Sequence, residues 1–319
     1  MAFDVSALPA YTEQHAMDLI VKSVAGGKLA QYANIQPDVK TTTTINIIDT
    51  DVVFQADGCS RSADGSTTLT QRNLTPGAVA IHEDLCMTDL AAKYTATMLR
   101  QGLTAEKEIV PFEEIYFSQK VARVQKAIEV ADWQGDTLSG TANLNKYDGL
   151  NKLIAAASAV NGNPDSLTIA GGISTTPGDA NNIIEILGKM AQLMPEDIMD
   201  ADDLKLFVGM DTFLDYQKAI QEGNYFHYVV EGGFTGELPL VGFPNVTVVA
   251  TPGLTGLTTR NAYLMRASNI YIGVDLPEEE SNDVRSWYDP NDRIYKVTMA
   301  FRRAVNVAFP DQVVEFLLV

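Results

Sequence analysis

The spacing of hydrophobic positions changes along the chain, and each change predicts a different element. Between residues 11 and 25, Met17, Ile20, Val21 and Val24 share one helical stripe, which Gly26 and Gly27 stop. Such a helix has little nearby sequence to pack against. It reads as an arm that docks on a distant part of the fold or on another chain. From residue 39 to 85 the period falls to two. Residues 41–54 are rich in Thr, Ile and Val, with Ile45 and Ile47 alternating against polar neighbours. Residues 55–66 form a polar tip, and 67–85 are extended again, with Val79 and Ile81 alternating against small or polar residues. This pattern predicts a long two-stranded hairpin. Isolated hairpins are marginal in water, and this one has too few apolar residues for a core. It is expected to lie across a neighbour, with an ordinary strand pair inside a domain as the alternative.

Helical spacing then returns. Residues 88–101 read as a helix capped by Thr88 or Asp89 and ended by Gly102. A longer helix starts at Pro111, with Glu113 and Glu114 at the positive end of its dipole, and runs to about Asp132. Phe117, Val121, Val124, Ile128 and Ala131 make one continuous apolar stripe, with Ser118, Gln119, Gln125, Lys126 and Glu129 assigned to the polar side. At about 1.5 Å per residue it would be a rod roughly 30 Å long. Thr176, Pro177 and Asp179 read as the start of a helix to about Met194, burying Ile183, Leu187, Met190 and Met194. A strand at 204–210, a helix capped by Asp211 and closed by Gly223, and a strand at 246–250 suggest a compact mixed domain. The last sixty residues read as strands at 269–274, 293–301, 304–309 and 312–318. In the second of these, Tyr295, Val297, Met299 and Phe301 alternate against Lys296, Thr298 and Ala300. There is no internal repeat and no linker, so the units are expected to interleave in sequence.

Length and charge narrow the function. The 319 residues are enough for two domains, and 46% hydrophobic with 20% charged residues is the composition of a folded chain. The formal charge of −18 repels phosphate, which argues against a dedicated nucleic-acid reader and against binding to anionic membrane. No apolar run approaches the roughly 20 residues of a membrane span. No signal peptide is visible in residues 1–9, so a soluble chain made in a reducing cytoplasm is expected. Cys59 and Cys86 lack the spacing of a metal knuckle or redox pair and are expected to be free thiols.

Catalytic chemistry finds few parts. His15, His82 and His227 have no partner at metal-ligand spacing except Cys86 after His82, in an extended segment. Gly26, Gly27 and Lys28 resemble the end of a phosphate loop, but Leu29 stands where Ser or Thr should hold magnesium, so they read as a helix stop. The acidic groups Glu196, Asp197, Asp200, Asp202 and Asp203, and Asp289, Asn291 and Asp292, read as solvated loops; Ile294 stands where a calcium loop needs glycine. Tyr225, Phe226 and Tyr228 read as core or subunit contact. No catalytic, cofactor-binding or metal-binding residue is assigned.

Four stretches carry a resemblance: Glu83-Asp84-Leu85-Cys86-Met87-Thr88-Asp89-Leu90, Ile128-Glu129-Val130-Ala131-Asp132-Trp133-Gln134-Gly135-Asp136, Lys146-Tyr147-Asp148-Gly149-Leu150, and Phe301-Arg302-Arg303-Ala304-Val305-Asn306-Val307-Ala308-Phe309-Pro310. With the order of elements, they resemble the major capsid proteins of tailed bacteriophages, whose fold is shared with encapsulins. The resemblance implies an α+β chain with an N-terminal arm (1–36) and an extended hairpin loop (37–86). It also implies a peripheral domain with a long spine helix (87–140 and 256–312) and an α/β axial domain (141–255, with 313–319). The implied function is structural. Hexamers and pentamers would self-assemble in the bacterial cytoplasm into an icosahedral head that encloses a double-stranded DNA genome. The implied partners are other copies, a portal protein, a separate scaffolding protein and DNA held without sequence specificity, with no membrane and no cofactor. An encapsulin-like compartment shell, a cytosolic α/β enzyme and another virion protein are the alternatives. Some members of the family cross-link the hairpin through lysine, but residues 41–92 contain none, only Arg61 and Arg72. A non-covalent shell is therefore expected.

Overall fold

A computed structural model describes residues 19, 27–54, 65–86, 112–157, 160–161, 175–176, 182–225, 236–257, 259–275, 284–292 and 294–318. The strands, in chain order, begin with β1 (Asn34–Gln36), β2 (Thr43–Thr50), β3 (Thr67–Leu74), β4 (Gly77–Cys86), β5 (Val160–Asn161) and β6 (Leu204–Gly209). They continue with β7 (Glu237–Leu240), β8 (Phe243–Thr251), β9 (Arg260–Arg266), β10 (Ile270–Asp275), β11 (Val284–Asp289), β12 (Ile294–Val307) and β13 (Val314–Leu318). The α-helices are α1 (Phe112–Gln134), α2 (Leu150–Ala156), α3 (Ile183–Gln192) and α4 (Met210–Glu222).

The apolar stripe predicted for the long helix becomes the buried side of α1: Phe117, Val121, Val124, Ile128 and Ala131 all lie in the core, while Ser118, Gln119 and Lys126 are exposed. Glu129 departs from expectation. It was assigned to the polar side but is buried, because the chain at Gly27 and Leu29 covers it. The helix ends at Gly135, where a Cβ would stand 2.5 Å from the Tyr147 carbonyl oxygen.

Two sheets flank α1. One is built on β12, which pairs antiparallel with β4 along one edge and with β10 and β11 along the other, while β1 adds in parallel to β10. The other sheet runs β5-β13-β9-β6-β8-β7. Alternation along its strands divides two cores. Phe207, Val249, Tyr263 and Met265 turn toward α1 and the first sheet. Leu206, Val208, Val248, Leu264 and Phe316 turn the other way, onto α3 and α4. A sheet buried on both faces has near-continuous apolar strands. The sequence pattern therefore gave no alternation at β9, and this strand was not predicted. Although β9 lies within the 256–312 stretch, it pairs with β6 and β13 in the six-stranded sheet.

Four expectations are corrected. The segment 67–85 is not one returning hairpin strand. It divides at Thr75 and Pro76, so that β3 pairs with β2 while β4 enters the sheet of β12. Strands 293–301 and 304–309 are one continuous strand, β12, because Arg303 is neutralised inside the fold and no turn forms at the Arg302-Arg303 pair. α3 is capped by Asn182, whose Oδ1 accepts the Ile184 N–H at 2.9 Å, and does not start at Thr176; residues 177–181 lie outside the described residues. Gly209 takes the N-cap position of α4, and Asp211 sits in its first turn; Gly223 closes that helix as expected. The helix over 88–101 lies outside the described residues, as does the arm helix except for Leu19, which is helical and buried.

Candidate assembly surfaces

The four stretches singled out in the sequence converge on α1. Glu83 of β4 accepts hydrogen bonds from Tyr116 (2.8 Å) and from Lys120 on the helix. Burial would raise the Glu83 carboxyl, but these two donors outweigh it and hold the pKa below the usual carboxylate value. At the other end, Tyr147 donates its hydroxyl to Asp132 at 2.8 Å, and the Gly149 N–H donates to the Gly135 carbonyl at 2.8 Å. Lys152 of α2 bridges Asp136 and Asp148, each at 2.7 Å. From β12, Arg303 reaches the same Asp132. Burial alone would lower the guanidinium, but the Asp132 carboxylate outweighs that and holds it above the ordinary arginine range. Trp133 stacks on Tyr263 with centroids 5.5 Å apart, which ties the helix to the six-stranded sheet.

The Asp132–Arg303 pair had a signal in the sequence that the apolar pattern concealed. Continuing the inward parity of Tyr295, Val297, Met299 and Phe301 leads to Arg303. Asp132 lies one helical turn beyond Ile128 on the apolar stripe. A charge at an inward position of both elements marks a buried pair.

The hairpin has a different character along its length. At its base, Ile45, Ile47 and Leu74 are buried with Ala304 and Ala308. Arg72 donates to Asn306 Oδ1 at 3.1 Å, and Asn306 Nδ2 donates to the Asn73 carbonyl at 2.8 Å. Farther out, Ile48 pairs across the ladder with Leu69, and these two side chains are 65% and 74% exposed. Beyond Asp49, Thr50 and Asp51, the side chains of Val52, Val53 and Phe54 are exposed too, Phe54 at 96%. These exposed apolar side chains lie on and just beyond the two-stranded sheet of β2 and β3, which belongs to neither larger sheet.

Among the described residues, those considered for chemistry do not gather into a metal-ligating group. His82 is exposed on β4 and lies 3.3 Å from the Thr298 hydroxyl. Asp203 accepts from Arg266 Nε (2.9 Å) and from the Ser268 backbone and hydroxyl, an anchor between the strands rather than an open ligand. Asp289 is paired with Lys296 at 2.7 Å. Tyr225 is exposed. His15, His227, Phe226, Tyr228 and Cys59 lie outside the described residues, and Cys86 ends β4. Among the described residues there is no group of three metal-ligating side chains and no helix long and apolar enough to cross a membrane.

No protein-family model matches the chain, and neither does any curated protein sequence. Solved structures do match, over nearly the whole length. A chain of the satellite phage P4 procapsid (which includes the size determination protein) aligns with 93% of this chain and 96% of its own, at 13% identity and TM-score 0.58. The capsid of an empty GTA particle aligns over 93% and 90%, at 11% identity and TM-score 0.57. The capsid of Myoviridae phage XM1 aligns over 93% and 92%, at 14% identity and TM-score 0.53. The chain has the α+β fold of phage capsid proteins.

Proposed function

We propose that this protein is a major capsid protein, a structural subunit that assembles through many copies of itself into the icosahedral head of a tailed phage. The observation that carries this reading is the set of exposed apolar side chains on the outer half of the hairpin, on a chain with the capsid fold. Ile48, Val52, Val53, Phe54 and Leu69 are exposed in the single chain. Covering each would contribute roughly 1.5–3 kcal/mol, a gain a second copy can supply. Repeated around a closed shell, such contacts reinforce one another.

Hexamers and pentamers, a double-stranded DNA genome inside and a portal vertex belong to the same proposal. So does the division of the chain into an arm (1–36, whose β1 joins the sheet of β12), a hairpin loop (37–86, whose β4 joins the same sheet), a peripheral unit with α1 and the sheet of β12, and an axial unit with the six-stranded sheet, including β9. No catalytic role is assigned, and the shell is held without covalent links. The formal charge of −18 suits a wall against which DNA lies without specific binding. Sedimentation of the purified chain tests the reading. Megadalton particles support it, and a species that stays at 34.7 kDa at all concentrations opposes it.

A further inference from the structure

We propose that Glu129 is a proton-linked latch that fastens the root of the N-terminal arm, around residues 27–33, to α1. The Glu129 side chain is almost fully covered, at 3% exposure. Its Oε2 accepts the Leu29 N–H at 3.2 Å, while its Oε1 is buried without a hydrogen-bond partner among the described residues. Gly27 lies on the same oxygen, and a Cβ at that position would stand 2.8 Å from Oε2. The chain entering from the arm therefore forms the lid over this carboxylate. Leu29, fully buried in the main core, forms the apolar part of the same contact.

Among the described residues, the surrounding charges leave Glu129 without a cation of its own. On its own helix, Asp132 faces it and repels it. From β12, Arg303 attracts it, but that guanidinium is committed to both oxygens of Asp132 at 2.7 and 2.5 Å. Tyr147, from the loop before α2, gives its hydroxyl to Asp132. Lys28 on the arm contributes its backbone amide, while its ammonium turns to Glu237 at 3.2 Å. The turn at Pro252–Leu254 packs Gly253, which carries no charge, against the Glu129 backbone carbonyl.

Loss of water under the lid, with Asp132 adding to it, outweighs the amides and Arg303 and pushes the Glu129 carboxyl up to about 7. An acid whose pKa rises on being covered takes up a proton as the cover closes. Closing is therefore favoured as pH falls below neutrality and weakens as pH rises towards it, with no further change above. The inference concerns one chain and stands whether or not that chain assembles.

Backbone hydrogen exchange, corrected for intrinsic rates, tests the latch on the full chain at about pH 5.5 and about pH 8. Protection of the amides at residues 28–33 should fall about ten-fold or more between the two, most of the fall coming below neutrality and levelling off above it, while the β6 amides hold constant. Glu129→Gln, which keeps the shape and removes the titration, should show high protection at both. The wild-type profile is decisive even if that variant fails to fold. Protection that is flat with pH, or that rises with it, overturns the proposal. So does a folded Glu129→Gln protein that keeps the pH dependence.

Discussion

Arg303 of β12 donates from Nε and Nη2 to the two carboxylate oxygens of Asp132 on α1, at 2.7 and 2.5 Å, and both side chains are 1% exposed. The pair joins the spine helix to the centre of the sheet built on β12. A buried ion pair is expensive to break from one side, because the remaining charge keeps its desolvation and loses its partner. Arg303→Met should therefore destabilise the chain by about 3–5 kcal/mol. Combining it with Asp132→Leu should recover most of that loss. Urea unfolding midpoints of the two variants check this, and a double variant as unstable as the single one would contradict it.

The buried stripe of α1 makes a second expectation. Phe117→Ala removes a ring that is 1% exposed and should cost about 3–5 kcal/mol. The exposed neighbour Ser118→Ala should stay within about 0.5 kcal/mol. Thermal unfolding of the two variants side by side measures the contrast.

The success with this helix and the failures elsewhere have one physical origin. A stripe with one buried side shows in sequence as a 3.6-residue period, so α1 was legible to within a few residues. β9 is buried on both faces and has no period to detect. Glu129 and Arg303 are polar residues at buried positions, which a hydrophobic pattern assigns to solvent or to a turn. Their environment is made by chain distant in sequence: Leu29 covers one, and Asp132 neutralises the other. The hairpin divided at Pro76 because Gly77 onward finds a better partner in β12, a pairing more than 200 residues away that no local signal encodes. The four stretches that carried the resemblance are those that meet on α1, so the recognisable sequence coincided with the structural hub.

Stability should carry the sign of the Glu129 shift. The carboxyl lies at about 7 in the fold, against an ordinary value of 4.5. In that window the folded chain binds more protons than the unfolded one, so this group's contribution falls as pH rises from 4.5 to 7. Glu129→Gln should match the wild type near pH 5 and exceed it by ~1–3 kcal/mol near pH 8. Denaturation curves at the two pH values measure the difference. Equal stability near pH 8 would count against the shift.

The hairpin surface should matter for assembly and not for the fold. Phe54→Asp and Leu69→Asp change side chains that are 96% and 74% exposed, so unfolding of the dissociated chain should shift by less than about 0.5 kcal/mol. Particle yield, followed by light scattering, should collapse in both. Normal particles from either variant would show that this surface is not an interface.

With no lysine between residues 41 and 92, the strands β2 and β3 and the tip between them offer no amine for a covalent link. Denaturing gels of assembled particles should show a single band at monomer mass. A ladder of cross-linked species would contradict the non-covalent shell.

The central claim is tested most directly by electron microscopy of particles formed by the purified full-length chain. A closed icosahedral shell is predicted, with the hairpin surface around Phe54 covered by a neighbouring copy in the reconstruction. Isolated monomers at every concentration, or an open assembly in which that surface stays bare, would contradict it.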